Sequence, residues 1–489
     1  MKLRWMMGWM LLGASLAFSE DAARVQFKPM KFGGSEEFGA ASQMLINSDQ
    51  TYFTKGEWMD HFGSYFLKEA TVDERVDLAI GLGGVFQFPK QEHSQQQFGG
   101  SQYKLFFVGP AVAKVAYKFG SDPEHPAFTF GGGMFPYKYN PDAVNLGEYL
   151  FRTTPYPSTI MTGGLNIIND NAAHLQGFMG TWKSGGFSLD ILLPTQTSMP
   201  PLYDWSLAAV AGYTSEGGLF SVGAGANMQR VVPVRPSRTS REMASNSYFS
   251  RNGKDYTGNV AYYDNAATFY NSKKTGADSA VAKTYSDQSD SVKAWTDSSG
   301  LVPGAKFYTT AGTVVMAHAS LALGKLFSSD LLGENDLRLY FEAALLGVQN
   351  YPVFYDKPVE RLPIMVGFNL PTFKALDILS VQMEYYKNSY INSTYSLGNS
   401  NTATPWIAQG VDPLYSQNDF MDLAKKDDFS WNILARKTFL KTFSVNAQVA
   451  RDHLRTIGTN WFYGTRNEPA EVLRTSSDWY WMVQFAWNI

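Results

Sequence analysis

Cysteine is missing altogether from the 489 residues, so neither a disulfide framework nor a thiolate metal site is available. Histidine is nearly as scarce. His61, His93, His125, His174, His318 and His453 are the only six. They stand apart in the chain, and none forms the i, i+4 pair of a helical metal site. There is no G-x-S-x-G elbow, no P-loop and no dinucleotide fingerprint. No catalytic residue, metal or cofactor is therefore expected, although a Ser and a His meeting on adjacent strands would leave no trace in sequence spacing. Neither sign of charge dominates: 41 Lys and Arg face 44 Asp and Glu, a net charge of −3, which argues against nucleic acid as a partner. Beyond the first twenty residues no uninterrupted apolar run is long enough for a membrane helix.

Residues 1–19 read as a secretory signal peptide, with Lys2 and Arg4 ahead of the apolar stretch 5–16 and the small residues Ala17 and Ser19 at a cleavage site. A retained N-terminal anchor is the alternative. The other end is more specific. In the last residues Trp479, Trp481, Val483, Phe485, Trp487 and Ile489 alternate with Tyr480, Met482, Gln484, Ala486 and Asn488. A period of two with one fully apolar face is a strand, and its length suits a tilted crossing of a bilayer.

The same pattern recurs. Val76, Leu78, Ile80 and Leu82 alternate with Asp77 and small residues; Val115, Tyr117 and Phe119 with Lys114 and Lys118; Leu339, Phe341 and Ala343 with Arg338, Tyr340 and Glu342. Strands 429–435 and 443–449 repeat it. A charge on a lipid face near the midplane costs about 2–4 kcal/mol. Asp77, Lys114, Lys118, Arg338 and Glu342 are therefore expected to face a wet lumen and to line a pore.

Connections take turns in length. Short ones such as 70–74, 183–186 and 436–441 alternate with long ones such as 89–102, 138–173 and 229–305. Transmembrane barrels have this habit, with short periplasmic turns and longer extracellular loops. The expected fold is all-β: one transmembrane antiparallel β-barrel over residues 20–489, with about 16 strands, 14 or 18 being compatible. Its first strand is expected at 24–32 or 43–53. Trp and Tyr near predicted strand ends, Tyr65, Tyr137, Trp182 and Trp205 among them, fit interfacial girdles.

Two loops carry functional expectations. Residues 138–173 are too apolar for a solvated loop, which points to an inward-folded constriction with Asp142, Glu148 and Arg152 near the narrowest point. A surface helix packed over the barrel mouth is the alternative. Opposed acidic and basic groups across a narrow pore set an ion preference. Residues 229–305 are rich in Ser, Thr, Asn and aromatics, which fits an extracellular lid, or a surface that stacks on glycan rings.

The mature chain resembles a Gram-negative outer-membrane porin. The most specific element is the last strand, where Phe485 and Trp487 match the signal that the barrel-assembly machinery reads in that family; Ile489 stands in place of a terminal aromatic. The resemblance implies an outer-membrane location, contact with lipid and lipopolysaccharide, passive diffusion of small hydrophilic solutes or ions, no enzymatic activity, and a homotrimer. Two other functions fit the same barrel. One is an adhesion or structural barrel that binds glycan or a partner through its loops. The other is a transporter of a hydrophobic substrate, which the inward polar residues disfavour.

Overall fold

The computed structural model describes residues 24–41, 45–46, 51–53, 59–87, 106–144, 146–151, 172–195, 204–232, 279–284, 286–287, 312–327, 330–348, 358–386, 429–451 and 479–489. Nineteen strands are present among them: β1 (Val25–Phe27), β2 (Lys31–Ala41), β3 (Leu45–Ile46), β4 (Thr51–Phe53), β5 (Met59–Val72), β6 (Val76–Gln87), β7 (Phe106–Phe119), β8 (Phe128–Tyr137), β9 (Ala173–Ser184), β10 (Phe187–Thr195), β11 (Trp205–Thr214), β12 (Phe220–Val232), β13 (Gly312–Ala322), β14 (Arg338–Leu345), β15 (Ile364–Asn369), β16 (Ile378–Tyr385), β17 (Phe429–Phe439), β18 (Phe443–Arg451) and β19 (Tyr480–Asn488).

Sixteen of these close into one antiparallel ring. Each of β5 to β19 pairs with its sequence neighbours, and β2 joins β19 to β5. The seam is fastened at its end by Phe32 and Ile489, which exchange backbone hydrogen bonds of 2.8 and 2.7 Å. Closure leaves no sheet edge, the condition for strands to sit in hydrocarbon. Strand β1 is a short lip on β5, and β3 pairs only with β4.

The first barrel strand differs from expectation. It is Lys31–Ala41, which shares only Lys31 and Phe32 with the first anticipated stretch, while part of 43–53 forms the separate β3–β4 hairpin. Gly33-Gly34 and Glu36-Glu37 interrupt the apolar alternation there, so period counting cannot find it.

Alternation sorts the side chains as a membrane-spanning barrel requires. Ile80, Val115, Ile191, Leu193, Val366 and Ile433 point outward and are 37–66% exposed. Aromatic rings ring the outer surface at the short-turn end. Phe32 and Phe66, Phe119 and Phe128, and Phe187 and Tyr213 lie 5.0, 5.4 and 4.6 Å apart between centroids. Trp182 belongs to this girdle, but Tyr65 and Tyr137 do not. Both are buried on the inner face, where the Tyr65 ring covers Gly33 and the Tyr137 hydroxyl donates to Asp190 at 3.0 Å.

The run Gly131-Gly132-Gly133 lies inside β8. A Cβ on Gly131 would meet the Val115 carbonyl oxygen at 2.5 Å, and Gly133, at φ +125°, has no room beside the Ala113 carbonyl. Glycine here permits close approach of β7.

Candidate functional site

The barrel interior is built from the inner faces of the strands and from the chain that leaves β8. After Tyr137 the chain does not rise clear of the barrel. Residues 138–144 and 146–151 lie against the inner wall of β10 to β16. Leu146, Tyr149 and Leu150 are fully buried and Phe151 nearly so, within one apolar cluster that includes Leu192, Val314, Met316, Tyr340 and Met365. The apolar content of the segment is thus used in packing on the wall. Tyr137 and Phe151 meet edge to face at 5.4 Å, and Tyr139 sits 5.9 Å from the His318 ring.

Glu342, in the middle of β14, is the anchor. Its carboxylate accepts four hydrogen bonds from the segment: the Tyr139 hydroxyl at 2.6 Å, the Asn140 side-chain amide at 2.7 Å, the Glu148 N–H at 3.0 Å and the Tyr149 N–H at 2.9 Å. A carboxylate buried without partners would cost several kcal/mol, and four donors remove that cost. The chain reverses at Gly147 and Glu148, with φ of +92° and +60°. A Cβ at Gly147 would come within 2.7 Å of Met365. The reversal aims the Glu148 carboxylate back at its own segment, where it accepts the Asn140 N–H at 2.6 Å.

Further contacts spread along the wall. The Leu146 N–H donates to Gln382 at 3.0 Å, the Tyr149 hydroxyl to Glu384 at 2.6 Å, and the Asn227 side chain to the Leu150 carbonyl at 3.1 Å. Arg338, at the start of β14, donates to Asp142 at 2.5 Å. This ion pair is mostly shielded from water, with side-chain exposures of 20% and 8%.

The β5–β7 sector carries the other charged residues anticipated from sequence. Lys118 pairs with Asp77 at 3.0 Å, and Thr71 donates to the same carboxylate at 3.1 Å. The Lys114 ammonium lies 5.8 Å from the centre of the Phe135 ring, a cation–π contact. β7 and β14 stand seven strand positions apart around the ring one way and nine the other. The wall therefore has a salt-bridged sector at β5–β7 and, nearly opposite, a sector covered by residues 138–151.

The structure brings together three of the anticipated groups: Arg338 with Asp142, Glu342 with the backbone of Glu148, and Asp77 with Lys118. It does not bring Lys114 or Lys118 to the Arg338–Glu342 set. Arg152 lies outside the described residues, as do residues 1–19 and most of 229–305. Phe485 and Ile489 point outward, 46% and 67% exposed. Sequence reasoning did not single out Tyr139, Asn140, Gln382 or Glu384. Their signal was present in β16, where Ser380, Gln382 and Glu384 alternate with Val381, Met383 and Tyr385. Among the described residues no group of three His, Asp or Glu could hold a metal ion.

No protein-family model matches the chain, and no curated protein does. Solved structures with a similar course include engineered mutants of the porin of Rhodopseudomonas blastica. One triple mutant has 8% identity and a TM-score of 0.40 over 95% of this chain and 100% of that chain. A second has 9% identity and a TM-score of 0.41 with the same coverage. A third has 9% identity and a TM-score of 0.40, again with 95% and 100% covered. Similarity at this level assigns no function.

Proposed function

We propose that the protein is an outer-membrane channel for passive diffusion of small hydrophilic solutes or ions, narrowed from one side by residues 138–151. The carrying observation is the four-donor anchorage of that segment on Glu342 inside a ring of sixteen strands. Sixteen strands about 4.8 Å apart, tilted by roughly 35–45°, enclose a ring roughly 30–35 Å across between backbones. A segment laid on one wall, plus the side chains, narrows this opening. On this reading Asp77, Lys114 and Lys118 line the remaining passage, with the partly exposed Arg338 on the narrowing side and the Asp142 and Glu148 carboxylates buried behind it within the segment. Opposed charges set its ion preference. A homotrimer and recognition of Phe485 and Trp487 during barrel assembly belong to the same proposal.

A second reading is favoured by one observation. Asn432, Gln448 and Gln484, on the inner faces of β17 to β19, are 0–1% exposed. A filled lumen would bury them, leaving the long loops to act as a binding surface. Swelling of proteoliposomes in isosmotic sugars separates the two. A channel gives swelling that falls with sugar size, whereas no swelling from liposomes that hold folded barrel would favour the filled lumen.

A further inference from the structure

Two hairpin turns at the short-turn end have an unexpected composition. Phe373 and Lys374 occupy the central positions of one, at φ +53° and +65°. Leu440 and Lys441 occupy the other, at φ +53° and +60°. Both turns close by an i to i+3 backbone hydrogen bond, Ala375 to Thr372 at 3.0 Å and Thr442 to Phe439 at 3.1 Å. Positive φ at both centres favours Asn and Gly, and bulky residues there are outliers. Yet the chain holds a large apolar residue followed by lysine in each, and both apolar side chains stand clear of the barrel. Phe373 is 63% exposed and Leu440 86%. The neighbouring connection 323–337 adds Leu326, Phe327 and Leu331, at 58–69% exposure.

In chain order, the first two connections are tied to each other, and the second to the end of β17 just before the third. Asp336 accepts the Thr372 hydroxyl at 3.0 Å and the Phe373 N–H at 3.2 Å. Asp377 accepts the Thr438 N–H at 2.6 Å, and Lys437 donates to the Lys374 carbonyl at 2.9 Å. The apolar tips also continue the outer girdle, since Phe439 and Phe443, each 50% exposed, flank Leu440.

Strand length bears on what covers them. β5 and β6 have 14 and 12 residues, but β15 and β16 have only 6 and 8. At about 3.3 Å per residue and a tilt of roughly 45°, the first pair rises roughly 28–33 Å and the second roughly 14–19 Å, against an apolar band of about 25 Å. Backbone hydrogen bonds beyond the strand ends, Leu346 to Arg361 at 2.8 Å and Leu337 to Asn369 at 3.1 Å, extend the pairing of β15 to 361–369, a rise of roughly 21 Å. At β15 and β16 the regular strands fall short of the apolar band, whereas β13 and β17, with 11 residues each, rise roughly 26 Å and span it. The apolar turns extend the outer apolar surface beyond the strand ends, and an exposed lysine follows each of the two hairpin tips, Lys374 after Phe373 and Lys441 after Leu440. The turn with the same backbone at β5–β6 carries Asp73 and Glu74 at φ +48° and +60°. There the strands are long enough and the turn is acidic.

We propose that residues 323–327 and 330–337 with connections 370–377 and 440–442 are a lipid anchor. Their apolar tips insert into the leaflet at the short-turn end, and Lys374 and Lys441 hold the phosphates of anionic phospholipid. The inference requires the transmembrane barrel but not an open pore. Absence of cysteine makes the test direct. Single variants Phe373→Cys, Leu440→Cys and Glu74→Cys are labelled with one fluorophore in the full-length barrel, in nanodiscs of phosphatidylethanolamine and phosphatidylglycerol. Labels at 373 and 440 should be quenched by nitroxide-bearing lipid and be at least fivefold less sensitive to iodide than the label at 74. Iodide sensitivity equal to that at 74 would overturn the proposal. Protection from both quenchers would overturn it too, and would assign the surface to a second copy or another protein. The lysines are tested by Lys374→Gln combined with Lys441→Gln. The rise in Tm that phosphatidylglycerol gives over phosphatidylcholine should fall by half or more, and an unchanged rise removes phosphate binding.

Discussion

Replacing Glu342 by alanine should detach residues 138–151 from the wall while leaving the barrel closed. The carboxylate accepts four hydrogen bonds, two of them from the backbone N–H groups of Glu148 and Tyr149. A hydrogen bond to a charged group contributes about 1.5–3 kcal/mol, so simple addition gives roughly 6–12 kcal/mol. That is an upper bound, because contacts sharing one acceptor are not additive and water fills part of the gap. Removal of one partner from a buried charged network typically costs about 3–5 kcal/mol. At about 1.4 kcal/mol per tenfold, the detached population rises by roughly two to three and a half orders of magnitude. Hydrogen exchange read on peptides covering 139–151 measures this directly, and it does so whether or not the barrel conducts. Heat-modifiable migration on a denaturing gel checks that the sixteen-strand ring is intact. Glu342→Gln keeps the shape and one acceptor oxygen but turns an N–H toward donors, and should lose about half as much. Protection of the Glu148 and Tyr149 amides unchanged in Glu342→Ala would refute the anchoring role.

Three other outcomes follow from the same geometry. A double-mutant cycle of Arg338→Gln and Asp142→Asn, read by the same exchange, should give a coupling of about 1–3 kcal/mol, since the pair is close and mostly shielded; a coupling near zero would mean it contributes nothing to docking. Lys114→Glu together with Lys118→Glu should move the reversal potential of a conducting protein toward cations, and an unmoved potential takes both residues out of the passage. Burial alone would raise the Asp336 carboxyl, but hydrogen bonds from Gly333, Thr372 and Phe373 outweigh it and hold the pKa below the ordinary aspartate value. A depressed folded pKa stabilises above the unfolded value of about 3.9 and is lost as pH falls through the folded one. Asp336→Asn should therefore lower Tm at pH 7 and flatten the acid limb of the Tm profile; a parallel shift at all pH values would contradict the assignment.

Much of the wall was legible because lipid outside and polar groups inside leave a period of two. Arg338, Tyr340 and Glu342 could be placed on the inner face of β14 from alternation alone, as could Asn446 and Gln448 on β18. The alternation of short and long connections carried the strand count. Strand β2 was not legible, because paired glycines and paired glutamates erase the period. Nor was the inward position of Tyr65 and Tyr137, since an aromatic near a strand end fits a girdle or a lumen equally well. The role of Glu342 could not be read at all. Its donors lie 193 to 203 positions away in the chain, and only closure of the barrel sets them against it. Sequence showed that residues 138–173 were too apolar for water, but the surface that receives 138–151 exists only in the folded ring.

Single-channel recording in a planar bilayer, with the reversal potential under a salt gradient, tests the central claim most directly. An open passage beside the anchored segment predicts stable ohmic steps in the wild-type protein, and larger or noisier steps in Glu342→Ala. Silence from protein shown to be folded and inserted would contradict the channel and leave a barrel with a filled lumen.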